Sequence, residues 1–594
     1  MTSRNLRGRG VVALLMTFMA VPAWAESPLA VVPASSPIVI QVHGLDRTKD
    51  RLIATLTSAL PDLGQMANFA LNAGLQNLPE GRKLTGLAKD GPIFVSLAHF
   101  PTGEGIEGAG IAIAARVTDY DAFRNGLLSK EEKDSVKKEG EFEKFTTHDR
   151  THYLFKVGDF AVITPDKDVA TAYAKKGTGL DSKMDQQLAV KFLNADAAAY
   201  VNMQAVAKEY GDQIKAFREQ MEQLFDSGAL GPGMDKNTME MVKKLIAALG
   251  QFMEDAQGVV VAVESRPESF HLGLFASVAG DSKTNAQLRN FKTAAMEELG
   301  TLPSGMMSYS ATAVTGEILK SFPVIFGFAS GGEDEGKAAL AALEKLVAAG
   351  PQFQLQASTV PAGGIQVWSF KDAAKGAAAQ LELFKAMASG ATLNNAQLKG
   401  KPEVKADAQS HRGFKFHSAK IQFDLEKMVE NVPVPQMQES LKAYFKKLVG
   451  EEINIWFGTD GKKNVTLTAK DWDAARKLLD TYLDGKATLA NDKEFQASRE
   501  QFPRQTTLLT VTDAAQFFPF MADAVLTMLK DFPGAPQLPD IKVPPPGKPA
   551  YLGFSLNLES ERVGAEMDIS TSAIKEIRRV AEPIVKAFRD QFGG

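Results

Sequence analysis

Apolar positions along this chain follow two periods. Short runs alternate or are wholly apolar at 38–42, 93–97, 111–115 and 153–157, which is the pattern of β-strands. Longer stretches repeat every third or fourth residue. Met239, Val242, Leu245, Ile246, Leu249 and Met253 form one such stripe. Residues 213–225 and 237–255 are predicted to form an antiparallel helix pair, joined across the Gly- and Pro-containing breaker 227–233. A Met-rich stripe packs on its own sheet or adapts to a partner or acyl chain.

The order of elements recurs. A strand passes through an acidic turn into a helix at 160–176 (FAVITPDKDVATAYAKK) and again at 464–479 (NVTLTAKDWDAARKLL). Both segments reach a glycine, Gly177 and Gly485, and then an acidic helix start, Asp185 and Asp492. Both then enter another strand-to-helix unit, at 199–210 and 507–518, the offset drifting from about 303 to about 308. Near the end of each stretch a hairpin leads into a helix: 258–277 then 281–299, and 549–569 then 571–588. Copies of one theme (strand, helix or helix pair, hairpin, helix) begin near Ile38, Tyr200, Ser308 and Leu508.

These patterns predict an α+β fold of tandem pseudo-duplicated halves, 26–302 and 303–594, with mostly antiparallel sheets and helices packed on one side. In the phrase Val117–Arg124, Asp119 and Asp121 open a helix; Asp471 and Asp473 do the same in the second half. An acid at that position accepts hydrogen bonds from free N–H groups and suits the positive helix end, so capping is expected over cation binding. Residues 129–144 read as a solvated mixed-charge loop, and 532–548, with six prolines, as a stiff extended connector.

The N-terminus adds a destination. Arg4, Arg7 and Arg9 precede an apolar run at 11–21, and Ala23-Trp24-Ala25 is an A-x-A cleavage sequence. This order predicts a secretory signal peptide at 1–25, cleaved after Ala25, and a periplasmic or secreted protein. The whole chain carries 67 Lys+Arg against 71 Asp+Glu, a net charge of -4; losing three Arg makes the mature chain more acidic still. It holds no Cys, so disulfides, thiolate metal sites, a Cys nucleophile and acylation at the cleavage site are excluded. No later stretch reads as a membrane span. An acidic chain without a basic, aromatic-interleaved stripe predicts no nucleic-acid partner.

Specific chemistries find little footing. Residues 103–108 (GEGIEG) match the dinucleotide glycine spacing, yet a strand follows where a helix is required, so they read as a hairpin loop. Phosphate-loop and nucleophile-elbow motifs are missing from the sequence. His148 and His152 have the i, i+4 spacing of a helical zinc motif, but their flanks are β-rich and Asp149-Arg150 resembles a turn. His411 and His417, taken in one strand, would stand roughly 20 Å apart. His43, His99 and His271 occur singly. No residue is assigned a catalytic, cofactor-binding or metal-binding role.

The signal peptide, the mature start 36–42 (SPIVIQV), the phrase at 117–124 and the late Leu/Val hairpins resemble exported bacterial proteins of a domain-of-unknown-function family, of the kind common in planctomycete-type genomes. That resemblance implies no activity and no site residues. The expected function is therefore a non-enzymatic binding or scaffolding role in the periplasm or cell envelope, partnered by an envelope protein or an apolar ligand. Two alternatives stand beside it: a carrier of lipid or another hydrophobic ligand, and a metal-assisted hydrolase using His148 and His152.

Overall fold

The computed structural model describes residues 27–99, 110–147, 150–175, 179–226, 236–319, 333–360, 363–393, 396–430, 432, 434–530 and 541–592. The GEGIEG loop, His148 and the signal sequence lie outside them, as do much of the proline-rich connector and Gly177. The fold is α+β. It divides into two compact units, residues 1–39 with 80–189, and residues 40–79 with 190–594. The first strand, β1 (Ile38–His43), spans that division.

In the first unit six antiparallel strands run in the order β2 (Pro92–Leu97), β3 (Ile111–Arg116), β7 (Phe160–Thr164), β6 (Arg150–Val157), β5 (Phe142–Thr147) and β4 (Lys137–Glu139). β7, apolar from Phe160 to Ile163, is buried on both faces, and Phe160 stacks on Phe94 at 5.9 Å. Fully buried side chains such as Phe94, Leu154 and Val162 each contribute about 1.5–3 kcal/mol. The predicted cap is present: Asp119 Oδ1 accepts from the Ala122 N–H at 2.9 Å and starts helix Tyr120–Leu127.

Residues 129–144 are not a loop. Ser129 and Glu132 form a reciprocal capping box on the short helix Lys130–Ser135, and β4 and β5 then pair around Gly140 (φ 66°). Glu132 is buried, which opposes its ionisation; hydrogen bonds from Arg82 (2.8 Å) and Thr147 outweigh that and hold its carboxyl down to about 2. Reading the charges as solvated missed that one of them pairs inward.

The second unit contains a continuous run of thirteen antiparallel strands. Their order is β8 (Ala197–Asn202), β9 (Ala256–Arg266), β10 (Ser269–Val278), β24 (Arg562–Ser570), β23 (Tyr551–Glu559), β22 (Leu508–Asp513), β12 (Ser308–Ala313), β13 (Pro351–Thr359), β14 (Gly363–Phe370), β20 (Asn464–Ala469), β19 (Glu452–Thr459), β18 (Phe414–Gln422) and β17 (Glu403–His411). Two-residue pairs flank it: β11 (Ala294–Ala295) with β21 (Gln505–Thr506), and β15 (Thr392–Leu393) with β16 (Ala396–Gln397). One face is a dry core. Tyr309, Leu355, Val367, Leu467 and Val511 pack there against Ala475 and Leu479 of helix Trp472–Asp484 and Phe495 of helix Lys493–Glu500.

Three expectations change in this unit. The helix predicted at 281–299 ends early: Lys283–Leu288 is helical, Asn290 caps its end through the Ala286 carbonyl, and Met296 and Leu299 turn into the core. His411 and His417 are not on one strand, because Arg412 and Gly413, both at positive φ, turn the chain between β17 and β18. Helices also cover both faces around β14. Val367 meets the core just described, while its neighbour Trp368 packs with Leu343 and Leu346 of helix Glu333–Ala348 and Ala379 of helix Ala373–Ala386. Adjacent apolar residues on a strand require apolar cover on both sides.

Strand order repeats within the chain. The run β2-β3-β7-β6-β5-β4 matches β13-β14-β20-β19-β18-β17: a hairpin, then four strands laid down so that the last returns to the hairpin. The trio β8-β9-β10 likewise matches β22-β23-β24. Each set includes a clasp of two 3-10 turns. In the first, Leu180 N–H donates to the Val32 carbonyl at 2.8 Å; in the second, Leu489 N–H donates to Leu302 at 2.9 Å. Leu29, Val32, Leu180, Leu299, Leu302 and Leu489 are all fully buried.

Candidate ligand cavity

The second face of the thirteen-strand run is chemically different from the core. Directly opposed residues in adjacent antiparallel strands project to the same side, so the register reads out its rows. On β12, β13, β14 and β20, one row is Ser310, Gln356, Gln366 and Thr466. Another is Thr312, Gln354 and Trp368. Hydroxyls and amides thus alternate with the buried Leu and Val of the core side, and the spacing holds Gln366 Nε2 3.5 Å from Gln356 Oε1.

Above this polar floor is a cavity of ≈ 730 Å³. Its walls are apolar: Leu340, Leu343 and Leu346 from helix Glu333–Ala348, Leu383 and Phe384 from helix Ala373–Ala386, Leu448 and Val449 from helix Pro435–Val449, and Ile453 and Ile455 from β19. The volume lies within the range of small-molecule sites. Among the described residues that line it there is no Asp, Glu, Lys, Arg or His, although charged residues make up 23% of the chain. The polar groups that these residues present to the cavity are amides, hydroxyls and an indole N–H.

Two lining groups are unfinished. Trp368 Nε1 is a buried donor and Gln380 Oε1 a buried acceptor, and neither has a hydrogen-bond partner among the described residues. Asn464, opposite Trp368 in the β14–β20 register and fully buried, has both amide atoms in the same condition. A buried polar group left unpaired costs about 1–3 kcal/mol. The arrangement suits an uncharged molecule that is mostly apolar and carries both an acceptor, such as a carbonyl, and a donor, such as a hydroxyl or amide.

Charged chemistry gathers on the opposite face, between β10 and β24. His271, 4% exposed, has Nε2 3.5 Å from Glu566 and Nδ1 3.4 Å from Asp568. Burial opposes the imidazolium, but Asp568 and Glu566 outweigh it and raise the His271 pKa above its ordinary value. Burial also opposes the Glu566 carboxylate; His271 and Lys191, whose Nζ lies 2.7 Å away, nevertheless hold it low. Ser269 Oγ donates to Asp568 at 2.8 Å and is not bonded to the imidazole. The group therefore lacks the hydroxyl-to-imidazole bond that activates a serine nucleophile. It is a buried ionic cluster, and His271, read as solitary from the sequence, belongs to it.

The other histidines are placed as follows. His152 lies on β6, stacked on Phe145 with ring centroids 5.4 Å apart, and burial lowers its pKa. His411 Nε2 is 2.7 Å from Asp480, and His417 Nδ1 accepts from the Asp407 N–H at 3.0 Å. His43 Nδ1 is 2.6 Å from the Leu193 carbonyl. No group of three His, Asp or Glu that could hold a metal occurs among the described residues. Asp471, like Asp119, caps a helix, accepting from Ala474 N–H at 2.8 Å. Among the described residues, no helix is long and apolar enough to cross a membrane. The sequence reading missed the cavity: QFQLQ at 352–356 shows the alternation, but a polar strand face turned to solvent looks the same as one turned to a cavity. Comparison with known proteins found no matching family model, no matching curated protein and no matching solved structure.

Proposed function

We propose that this chain is an exported, non-enzymatic binding protein of the bacterial periplasm or cell envelope, and that its ligand is an uncharged, largely apolar molecule held above β12–β14. The observation that carries this reading is the cavity of ≈ 730 Å³ with no charged lining residue and with Trp368 Nε1 and Gln380 Oε1 unpaired. Export rests on the signal sequence at 1–25. The repeated strand order supports an origin by duplication, with copies starting near Ser27 and Met296. Between the alternatives, the cavity favours a hydrophobic-ligand carrier over pure scaffolding. No observation of the described residues brings a third ligand to His148 and His152.

Filling the cavity tests this. Ala339 lines it on helix Glu333–Ala348. Ala339→Trp inserts bulk there at a stability cost of about 1–3 kcal/mol. Wild-type protein should enhance the fluorescence of the neutral probe N-phenyl-1-naphthylamine, and the folded variant should lose most of that enhancement. Equal probe binding by both, with no apolar species in native mass spectra of protein isolated from its own envelope, would overturn the reading.

A further inference from the structure

The cavity floor does not end at the cavity. Leu508 on β22 lines it and sits opposite Thr312. From there the same row continues across the sheet through Leu556, Ala565, Leu274 and Val261. The neighbouring row passes from Ser310 through Thr510 to Phe554 and, beyond Met567, Leu272. At β22 the face thus turns from hydroxyl and amide to hydrocarbon, with no charged side chain in either row.

These are interior strands of a long sheet, where an apolar side chain is ordinarily covered. Yet Val261 is 46% exposed, Leu272 37%, Leu274 49% and Phe554 38%. Their opposite-face neighbours Val260, Gly273, Phe275 and Ser555 are buried. The strip runs from Leu508 on β22 to Val261 on β9, with its exposed residues on β23, β10 and β9. At about 4.8 Å per strand that is roughly 19 Å, enough for the hydrocarbon of one bilayer leaflet, about 15 Å.

We infer that the ligand is a long-chain lipid with an uncharged polar group. Its polar end sits on the Gln and Thr floor beside Trp368 and Gln380, and its chain lies across β22, β23, β24, β10 and β9. This rests on the cavity reading and extends it. Charge complementarity selects the occupant: an uncharged floor excludes ionic head groups, and an uncharged apolar strip continuous with that floor selects a hydrocarbon tail on the same molecule.

The test compares octanoyl and oleoyl monoacylglycerol on the full-length mature protein, wild type and Leu274→Glu and Phe554→Glu. Both positions are exposed, so folding should survive, and circular dichroism checks it; Leu274→Gln serves if the acid does not fold. Wild type should bind the oleoyl probe at least about tenfold more tightly than the octanoyl one, since each added buried methylene strengthens binding. Both acidic variants should lose about tenfold on the oleoyl probe and leave the octanoyl probe unchanged. Equal affinity for the two probes, with neutral variants, would overturn the extended strip and leave the cavity reading standing. Binding of neither probe would overturn both. A dimer that the variants convert to monomer, with oleoyl binding unaltered, would assign the strip to a second copy and overturn the lipid.

Discussion

His271 is enclosed by Glu566 and Asp568, with Arg266 Nη1 3.8 Å from Asp568 and Lys191 on Glu566. These charges make the region between β10 and β24 sensitive to pH in a defined direction. His271 is raised above 6.5, so its contribution is fully present below 6.5 and lost as pH rises through the folded value. Glu566 is lowered below 4.5, so its contribution is present above 4.5 and lost as pH falls through the folded value. The cluster is therefore strongest between these limits. The thermal midpoint of wild type, followed from pH 6 upward, should fall relative to His271→Gln, which lacks the imidazolium; parallel profiles would show that the histidine stays neutral. Capping acids act locally. Asp119→Ala and Asp471→Ala should each cost about 1 kcal/mol in denaturant unfolding. The contrast explains legibility at this scale: a cap and its helix are adjacent in sequence, so Asp119 and Asp471 could be read directly, whereas the acids facing His271 lie nearly three hundred residues away.

Among elements, hairpins and long helices followed from periodicity, and helix Thr571–Phe592 begins at its predicted residue. Failures occurred where side chains, rather than backbone pattern, decide the structure. The helix Lys130–Ser135 is specified by a capping box and a buried acid. Helix Lys283–Leu288 is anchored in its first turn by Asn285, whose amide donates to the Gly280 carbonyl and accepts from the Glu561 N–H, and it stops at Leu288. The 3-10 clasps were invisible as well, being too short to show a period, yet their leucines are among the fully buried residues. Leu302→Ala and Leu489→Ala should each destabilise by about 2–5 kcal/mol. Measured in the double variant, the losses should not add, because the two residues share one clasp.

At the scale of the molecule, the thirteen-strand run separates two environments. One face is a dry core of aromatic and branched residues. The other changes from amides and hydroxyls to hydrocarbon along its length. Periodicity shows that a strand has two faces; it does not show whether the outer one meets water, a helix or a cavity, so the candidate site was not legible while the α+β class was. The order in which the strands lie side by side was not legible either, because pairing is decided by packing between residues far apart in the chain.

That order has one more consequence. The strand Arg562–Ser570 follows Ser269–Val278 by almost three hundred residues, yet it lies between Ser269–Val278 and Tyr551–Glu559, in the interior of the run. A chain made from its N-terminus leaves Ser269–Val278 with an unsatisfied edge until Arg562–Ser570 has been made. The early strands can therefore pair among themselves, but the junction between them and the later strands waits for a partner far along the chain, a long-range closure that slows assembly of the whole sheet.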